Sequence, residues 1–219
     1  MAIKVFVSAG TPADDTQMSF RDIIVNAIEL TGFTPRLMGD KDWDSRNPLR
    51  AVRRAMDECE GAVVIAYPRY RIEVGTELRR EGGRVLNFSA FPTAWNQIEA
   101  AMAYEKGLPL LVVADTKLRR EAMLDSANDI RPFWTDLDSA IGRSDKFLGY
   151  LRSWKQDVEQ RAKAQSANKS VSLRELTTAQ VLGALPWYEL IAVVTTLIGS
   201  LLAAASIGYQ IGCGHWPFG

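Results

Sequence analysis

Residues 93–114 constrain the fold of this chain more than any other stretch. Trp95, Ile98 and Met102 recur at three- and four-residue steps, the stripe of a helix lying on a sheet. Gly107 fits a left-handed helix stop. The run that follows, residues 108–114, is Leu-Pro-Leu-Leu-Val-Val-Ala, apolar without a break. A strand with no polar alternation is one covered on both faces, as parallel strands are in α/β sheets. Glu99 falls one turn after Trp95, at the edge of the stripe rather than on its solvent side. A carboxylate there lies beside the carboxyl ends of the strands, where open α/β sheets bind ligands.

The preceding sequence repeats that strand-and-helix rhythm. Residues 3–8 form a first strand, and the loop 9–15 leads into a helix with Phe20, Ile23, Ile24, Ala27 and Ile28 on one face, ending at Gly32. A short strand over 34–38 precedes the polar loop 39–47. Asn47 then caps a helix with Pro48 at its first position, running to about Cys59. Residues 61–67 are a third apolar strand. Short connections between such elements predict a parallel sheet with right-handed crossovers. Residues 68–92, rich in arginine and carrying Glu73, Glu77 and Glu81, break the rhythm; connections this long in a compact domain are functional or mobile. Beyond Ala114, a short helix around 118–124, a segment holding Trp134 and a long helix over 144–164 are expected. A small, polar linker follows at 164–172.

The C-terminal run is of another kind. From Leu190 to the last residue there is no formal charge, His215 being neutral. Residues 190–211 comprise 22 positions, against the ~20 that cross a bilayer as a helix. Trp187 and Tyr188 mark one interface, Tyr209 and Trp216 the other. Lys163, Lys169 and Arg174 precede the run and no basic residue follows it, which predicts a cytoplasmic N-terminal domain and a short outer tail. Met1 leads at once into the first strand, so no N-terminal signal is expected and insertion would occur late. Ser200, Ala204, Gly208 and Gly212 form a ridge of small residues every four positions, suited to close helix–helix approach. The expected organisation is therefore an α/β nucleotide-binding domain over 1–140, a helical connector and linker over 141–185, a single transmembrane helix over 186–212 and a non-cytoplasmic tail over 213–219.

Composition narrows the chemistry. Charges balance at 26 against 26, so no nucleic-acid partner is expected. Cys59 and Cys213 lie on opposite sides of the expected membrane, against a disulfide and in keeping with a reducing cytosol. The lone histidine argues against a His-rich metal site or a Ser-His-Asp triad, and no metal is expected. No Gly-x-x-x-x-Gly-Lys and no dinucleotide glycine fingerprint is present, which disfavours P-loop and ordinary hydride-transfer sites. Ser8, Gly10 and Thr11 follow the first strand, where a glycine turn and a helix N-terminus present N–H groups to an anion. Asp40, Asp42, Trp43 and Asp44 occupy the loop after the second strand.

The Trp95-x-x-x-Glu99 step, with its helix, Gly107 and Pro109-containing strand, resembles two related families. One is the Toll/interleukin-1 receptor (TIR)-like domains, whose NAD-cleaving members carry a Trp-x-x-x-Glu step in a helix. The other is the nucleoside 2-deoxyribosyltransferases, where a catalytic glutamate precedes a small-residue helix, a glycine and a Pro-containing strand. The resemblance covers roughly the first 140 residues and is specific around 95–113. It implies a flavodoxin-like (TIR-like) parallel sheet flanked by helices, and cleavage of an N-glycosidic bond. Glu99 would be the catalytic carboxylate, stabilising or trapping an oxocarbenium-like state. Trp43 or Trp95 would stack on a base, Asn96 would bond a ribose hydroxyl, and Asp42 with Trp43 would cover the substrate. Glu73 and Glu77 are the spare carboxylates. NAD enters as substrate, with no cofactor.

Two classes of function follow. One is a membrane-anchored N-glycosidase acting on NAD or a related nucleotide once its domains cluster. The other is a non-enzymatic sensor of a nucleotide signal, whose membrane helices associate as homo-oligomers to breach the inner membrane. A bacterial anti-phage setting is implied by the resemblance alone.

Overall fold

The computed structural model describes residues 2–38, 46–80, 82–125, 129–170 and 187–213, in two compact units, Met1–Gln165 and Ser166–Gly219. In the first, five strands form one parallel sheet: β1 (Lys4–Ala9), β2 (Thr34–Leu37), β3 (Gly61–Ala66), β6 (Leu110–Asp115) and β7 (Phe133–Thr135), in the order β2-β1-β3-β6-β7. The sheet thus gains a short edge strand at the Trp134 segment. Among the described residues four α-helices belong to this unit: α1 (Asp15–Leu30), α2 (Pro48–Asp57), α3 (Ala94–Glu105) and α4 (Asp145–Ser170), the last running past Gln165.

The strands are apolar throughout because both faces are covered. Val5, Val7, Val63, Ile65, Leu111 and Val113 point to one side, against Phe20, Ile24 and Ile28 of α1 and Phe147, Leu151, Trp154 and Val158 of α4. Phe6, Ala62, Val64 and Val112 point to the other, against α2 and α3. This two-residue alternation makes α4 part of the core, so the first compact unit takes in much of the segment expected as connector. The polar stretch expected to open a linker at 164 is helical as far as Ser170, and residues 171–186 lie outside those described.

Gly61 shows how closely α4 approaches. A Cβ there would meet Val158 Cγ2 at 2.5 Å and Trp154 Cζ2 at 3.2 Å. Gly61→Ala is expected to cost about 1–3 kcal/mol, read as a lower denaturant midpoint at unchanged slope. An unaltered midpoint would show that α4 does not pack there.

The stretch 68–92 is ordered as an antiparallel hairpin, β4 (Tyr70–Glu77) with β5 (Arg84–Phe91), paired from Tyr70↔Phe91 to Glu77↔Arg84. Its root joins the body through the backbone of Ala90, which meets Leu118 and accepts from the Arg119 N–H. Tethering by that bridge replaces the helix expected around 118–124, which is reduced to a single 3-10 turn at Ala122–Leu124.

Helix α3 ends as its sequence predicts. Gly107 has φ +62°, its N–H donates to the Tyr104 carbonyl, and the Leu108 N–H donates to Ala103, the paired bonds of a Schellman stop. Its inward face differs from expectation. Asn96, Glu99, Ala100 and Ala103 are buried, whereas Ile98 is exposed and Trp95 and Met102 are half-buried beside α2. Two alanines let the helix axis sit close to the sheet, and that closeness carries Asn96 and Glu99 inward while the larger side chains splay to the flanks. At α2, Asn47 holds the cap position but makes no side-chain cap bond.

In the second unit, α5 (Trp187–Cys213) is a 27-residue helix. Among the described residues no helix is long and apolar enough to cross a membrane.

Candidate active site

A cleft of ≈ 540 Å³ opens at the carboxyl ends of β1 and β3, lined by Gly10, Thr11, Arg69, Tyr70, Thr93, Trp95, Asn96 and Glu99 among others. The strand order reverses there: β2 lies on one side of β1, and β3, β6 and β7 on the other. Doubly wound sheets leave a crevice at such a switch point.

Glu99 is 7% exposed, and burial pushes its carboxyl up to about 6, with a hydrogen bond from Ser8 acting against that rise. Ser8, at the end of β1, accepts from Asn96 Nδ2 at 3.0 Å. The Asn96 Oδ1 in turn accepts from Thr93 Oγ1 at 2.8 Å, and Thr93 Oγ1 caps α3 by accepting the Asn96 N–H at 3.1 Å. A chain Thr93–Asn96–Ser8–Glu99 therefore ties the helix start to the strand tip and aims the carboxylate. Asn96 lines the cleft, but its amide is already engaged, which makes it a positioning residue in this state. Trp95 lines the cleft with one side and packs beside α2 with the other.

Gly10 is required by this closeness: a Cβ would come within 2.9 Å of Thr93 Cγ2. Its carbonyl accepts a short hydrogen bond from the buried Tyr67 hydroxyl, whose phenol burial pushes up to about 12. At the nearby start of α1 two backbone N–H groups are already taken. The Gln17 N–H donates to Asp14 Oδ1 at 2.8 Å and the Ala13 N–H to Gln17 Oε1 at 2.9 Å. With Asp14 and Asp15 beside them, these two N–H groups are not open to an anion.

Of the residues the sequence nominates, Gly10, Thr11, Trp95, Asn96 and Glu99 line one cleft, with Ser8 directly behind them. Asp42 and Trp43, with Asp40 and Asp44, lie outside the described residues. The spare carboxylates stand elsewhere: Glu73 is exposed on β4, and Glu77 is paired with Arg119 at 2.7 Å and Arg79 at 3.1 Å, which lowers its carboxyl below the ordinary range. Arg69 and Tyr70 line the cleft without being nominated by the sequence, although Arg69 follows the carboxyl end of β3 by three residues. The rule that ligands sit at strand ends would have found it. A second buried carboxylate, Asp115, accepts from the Lys117 N–H and is not among the residues lining the cleft. Among the described residues no group of three or more His, Cys, Asp or Glu could hold a metal ion.

No protein-family model matches the chain, and no curated protein matches it in sequence.

Proposed function

We propose that the cleft is the active site of a flavodoxin-like, TIR-like N-glycosidase acting on NAD or a related nucleotide. The observation that carries this reading is Glu99: the buried carboxylate that lines the cleft, held by Ser8 and positioned where strand order reverses. In the proposed reaction one Glu99 oxygen attacks the anomeric carbon of the ribosyl group. A C–O bond forms as the C–N bond breaks, and the bonding pair leaves on the base, which departs from NAD as neutral nicotinamide. Water then attacks the same carbon, releasing ADP-ribose, the Glu99 carboxylate and a proton. A trapping carboxylate of this kind splits one difficult step into two. Purified protein incubated with NAD and other nucleotides tests this, products being followed by chromatography. Release of free base supports it, and intact nucleotides after long incubation overturn it.

Helix α5 is proposed as the membrane anchor of an inner-membrane protein, with the catalytic domain cytoplasmic. Its apolar side chains, Leu197, Ile198, Leu201 and Leu202 among them, are exposed around the helix, a surface that lipid would cover. Its hydroxyls bond back to its own carbonyls: Thr195 to Ile191 at 2.8 Å, Thr196 to Ala192 at 2.8 Å and Ser200 to Thr196 at 2.8 Å. No hydroxyl among these three is then left unmet in hydrocarbon.

The non-enzymatic sensor reading draws on one observation. Among the described residues a Cβ at Gly208 or Gly212 would meet nothing within 4 Å, which leaves this part of the ridge room for a second copy. Gly208→Leu is expected to weaken self-association in membranes, scored by crosslinking. Loss of membrane disruption together with association, while base release from NAD is unchanged, favours the sensor. An unchanged oligomer shows that the ridge is not the contact.

A further inference from the structure

Among the described residues the cleft has two charged lining residues, Glu99 deep within it and Arg69 at its mouth. Arg69 is exposed, and among the described residues its guanidinium has no partner, whereas Arg79 and Arg119 nearby pair with Glu77. Its backbone is pinned from two sides. The Arg69 N–H donates to Phe91 O at 2.8 Å, and the preceding Pro68 carbonyl accepts from Gln17 Nε2 at 3.0 Å. Gln17 is itself buried and is locked into the α1 cap by its bonds to Asp14 and Ala13. A free cation therefore stands on a root fixed jointly by α1, the end of β3 and the end of the hairpin.

At the other place for an anion, the start of α1, Asp14 Oδ1 already takes the Gln17 N–H, and Asp14 and Asp15 add two negative charges. Among the described residues an anionic group entering this cleft meets the Arg69 guanidinium as its complementary charge, and a guanidinium offers a phosphoryl group a planar, bidentate fork. Repulsion from Glu99 keeps that group at the mouth and leaves the sugar and its glycosidic bond for the interior. Tyr70, next in the chain and 62% exposed, lines the same mouth and offers a ring face to the ligand.

We propose that Arg69 is the anion-binding residue of the cleft, and that it restricts the ligand to nucleosides carrying a 5′-phosphoryl group, free nucleosides binding poorly. This rests on the reading of the cleft as a nucleotide site. The phosphoryl group is common to a nucleoside monophosphate and to a pyrophosphate-linked dinucleotide, and the test separates the two.

The test is calorimetric binding to the purified full chain in detergent, carrying Glu99→Gln to stop turnover. The probes are AMP, nicotinamide mononucleotide and NAD, set against adenosine and nicotinamide riboside. Each phosphorylated ligand is expected to bind about 10- to 100-fold tighter than its nucleoside. Arg69→Ala should bring each pair to within about threefold while leaving nucleoside affinity unchanged, and Arg69→Lys should keep part of the preference. NAD tighter than both monophosphates identifies the dinucleotide as the source of the group; equal binding identifies the monophosphate. Phosphate preference retained in Arg69→Ala overturns the proposal while the nucleotide reading stands. So does equal binding of nucleoside and nucleotide by the Arg69-containing chain. If no probe binds at all, both fall together. Arg69 is exposed, so thermal melting of the Arg69→Ala chain should match that of its parent and exclude misfolding as the cause.

Discussion

Glu99→Gln is expected to lower base release from NAD or another nucleotide by about 10³-fold or more, at least about 4 kcal/mol of transition-state stabilisation. The change keeps the side chain's size and leaves an oxygen to accept from Ser8, so it removes charge and nucleophile while preserving packing. The same variant has a second, opposite effect. In the folded chain the Glu99 carboxyl lies at about 6 against an ordinary value of 4.5, burial being the main cause. Between those pH values the unfolded chain has lost the proton and the folded chain retains it. Stability therefore falls as pH rises from about 4.5 to about 6, and stays lower above that window by about 2 kcal/mol. Glu99→Gln removes the burdened charge. It should be more stable than the parent by up to about 2 kcal/mol at pH 7.5 and equal to it at pH 4, measured by denaturant melts. Inactivity with greater stability at neutral pH marks a carboxylate kept for chemistry. Inactivity with lower stability at both pH values would mark one that holds the fold, and retained activity would remove Glu99 from the mechanism. The parent's turnover should also fall as pH drops below about 6, as the nucleophile takes up its proton.

The sheet was legible because its signal is local. Uninterrupted apolar strands, helices stopped at Gly32 and Gly107, and Pro48 at a helix start each follow from a few neighbouring residues. Glu99 was legible for the same reason, by its step from Trp95. What could not be read is what depends on distance in the chain. The inward face of α3 is set by how closely Ala100 and Ala103 let it approach the sheet, and a count of large apolar residues pointed instead to Trp95, Ile98 and Met102. The burial of α4 depends on Gly61, far from it in sequence, having no side chain. The hairpin was opaque because its strands alternate poorly and expose Val74, Val85 and Phe88, leaving no periodic stripe to recognise. Its root nonetheless brings Arg69 and Tyr70 to the cleft, which is why the connection that broke the rhythm also supplies part of the site.

The whole chain is expected in the membrane fraction, resistant to carbonate washing, and two central arginines should release it. Residues 190–211 contain no charge, and Leu197 and Leu201 lie one turn apart near the middle of α5, 60% and 73% exposed. An arginine at the centre of a membrane helix costs about 2.5–3.5 kcal/mol on the insertion scale, and each lost leucine removes about half a kcal/mol of favourable transfer. Leu197→Arg with Leu201→Arg therefore shifts insertion by about 6–8 kcal/mol, a factor of 10⁴ or more, enough to move the protein from one fraction to the other. Helix formation itself should survive, since arginine is nearly as good a helix former as leucine. The first compact unit closes its own core without α5, so the released protein should keep its base-release activity in dilute solution if catalysis is a property of the cleft alone. Loss of activity on release, restored by crowding the soluble domains on a surface, would assign the anchor a clustering role. Recovery of the unaltered chain in the soluble fraction would remove the membrane from the account.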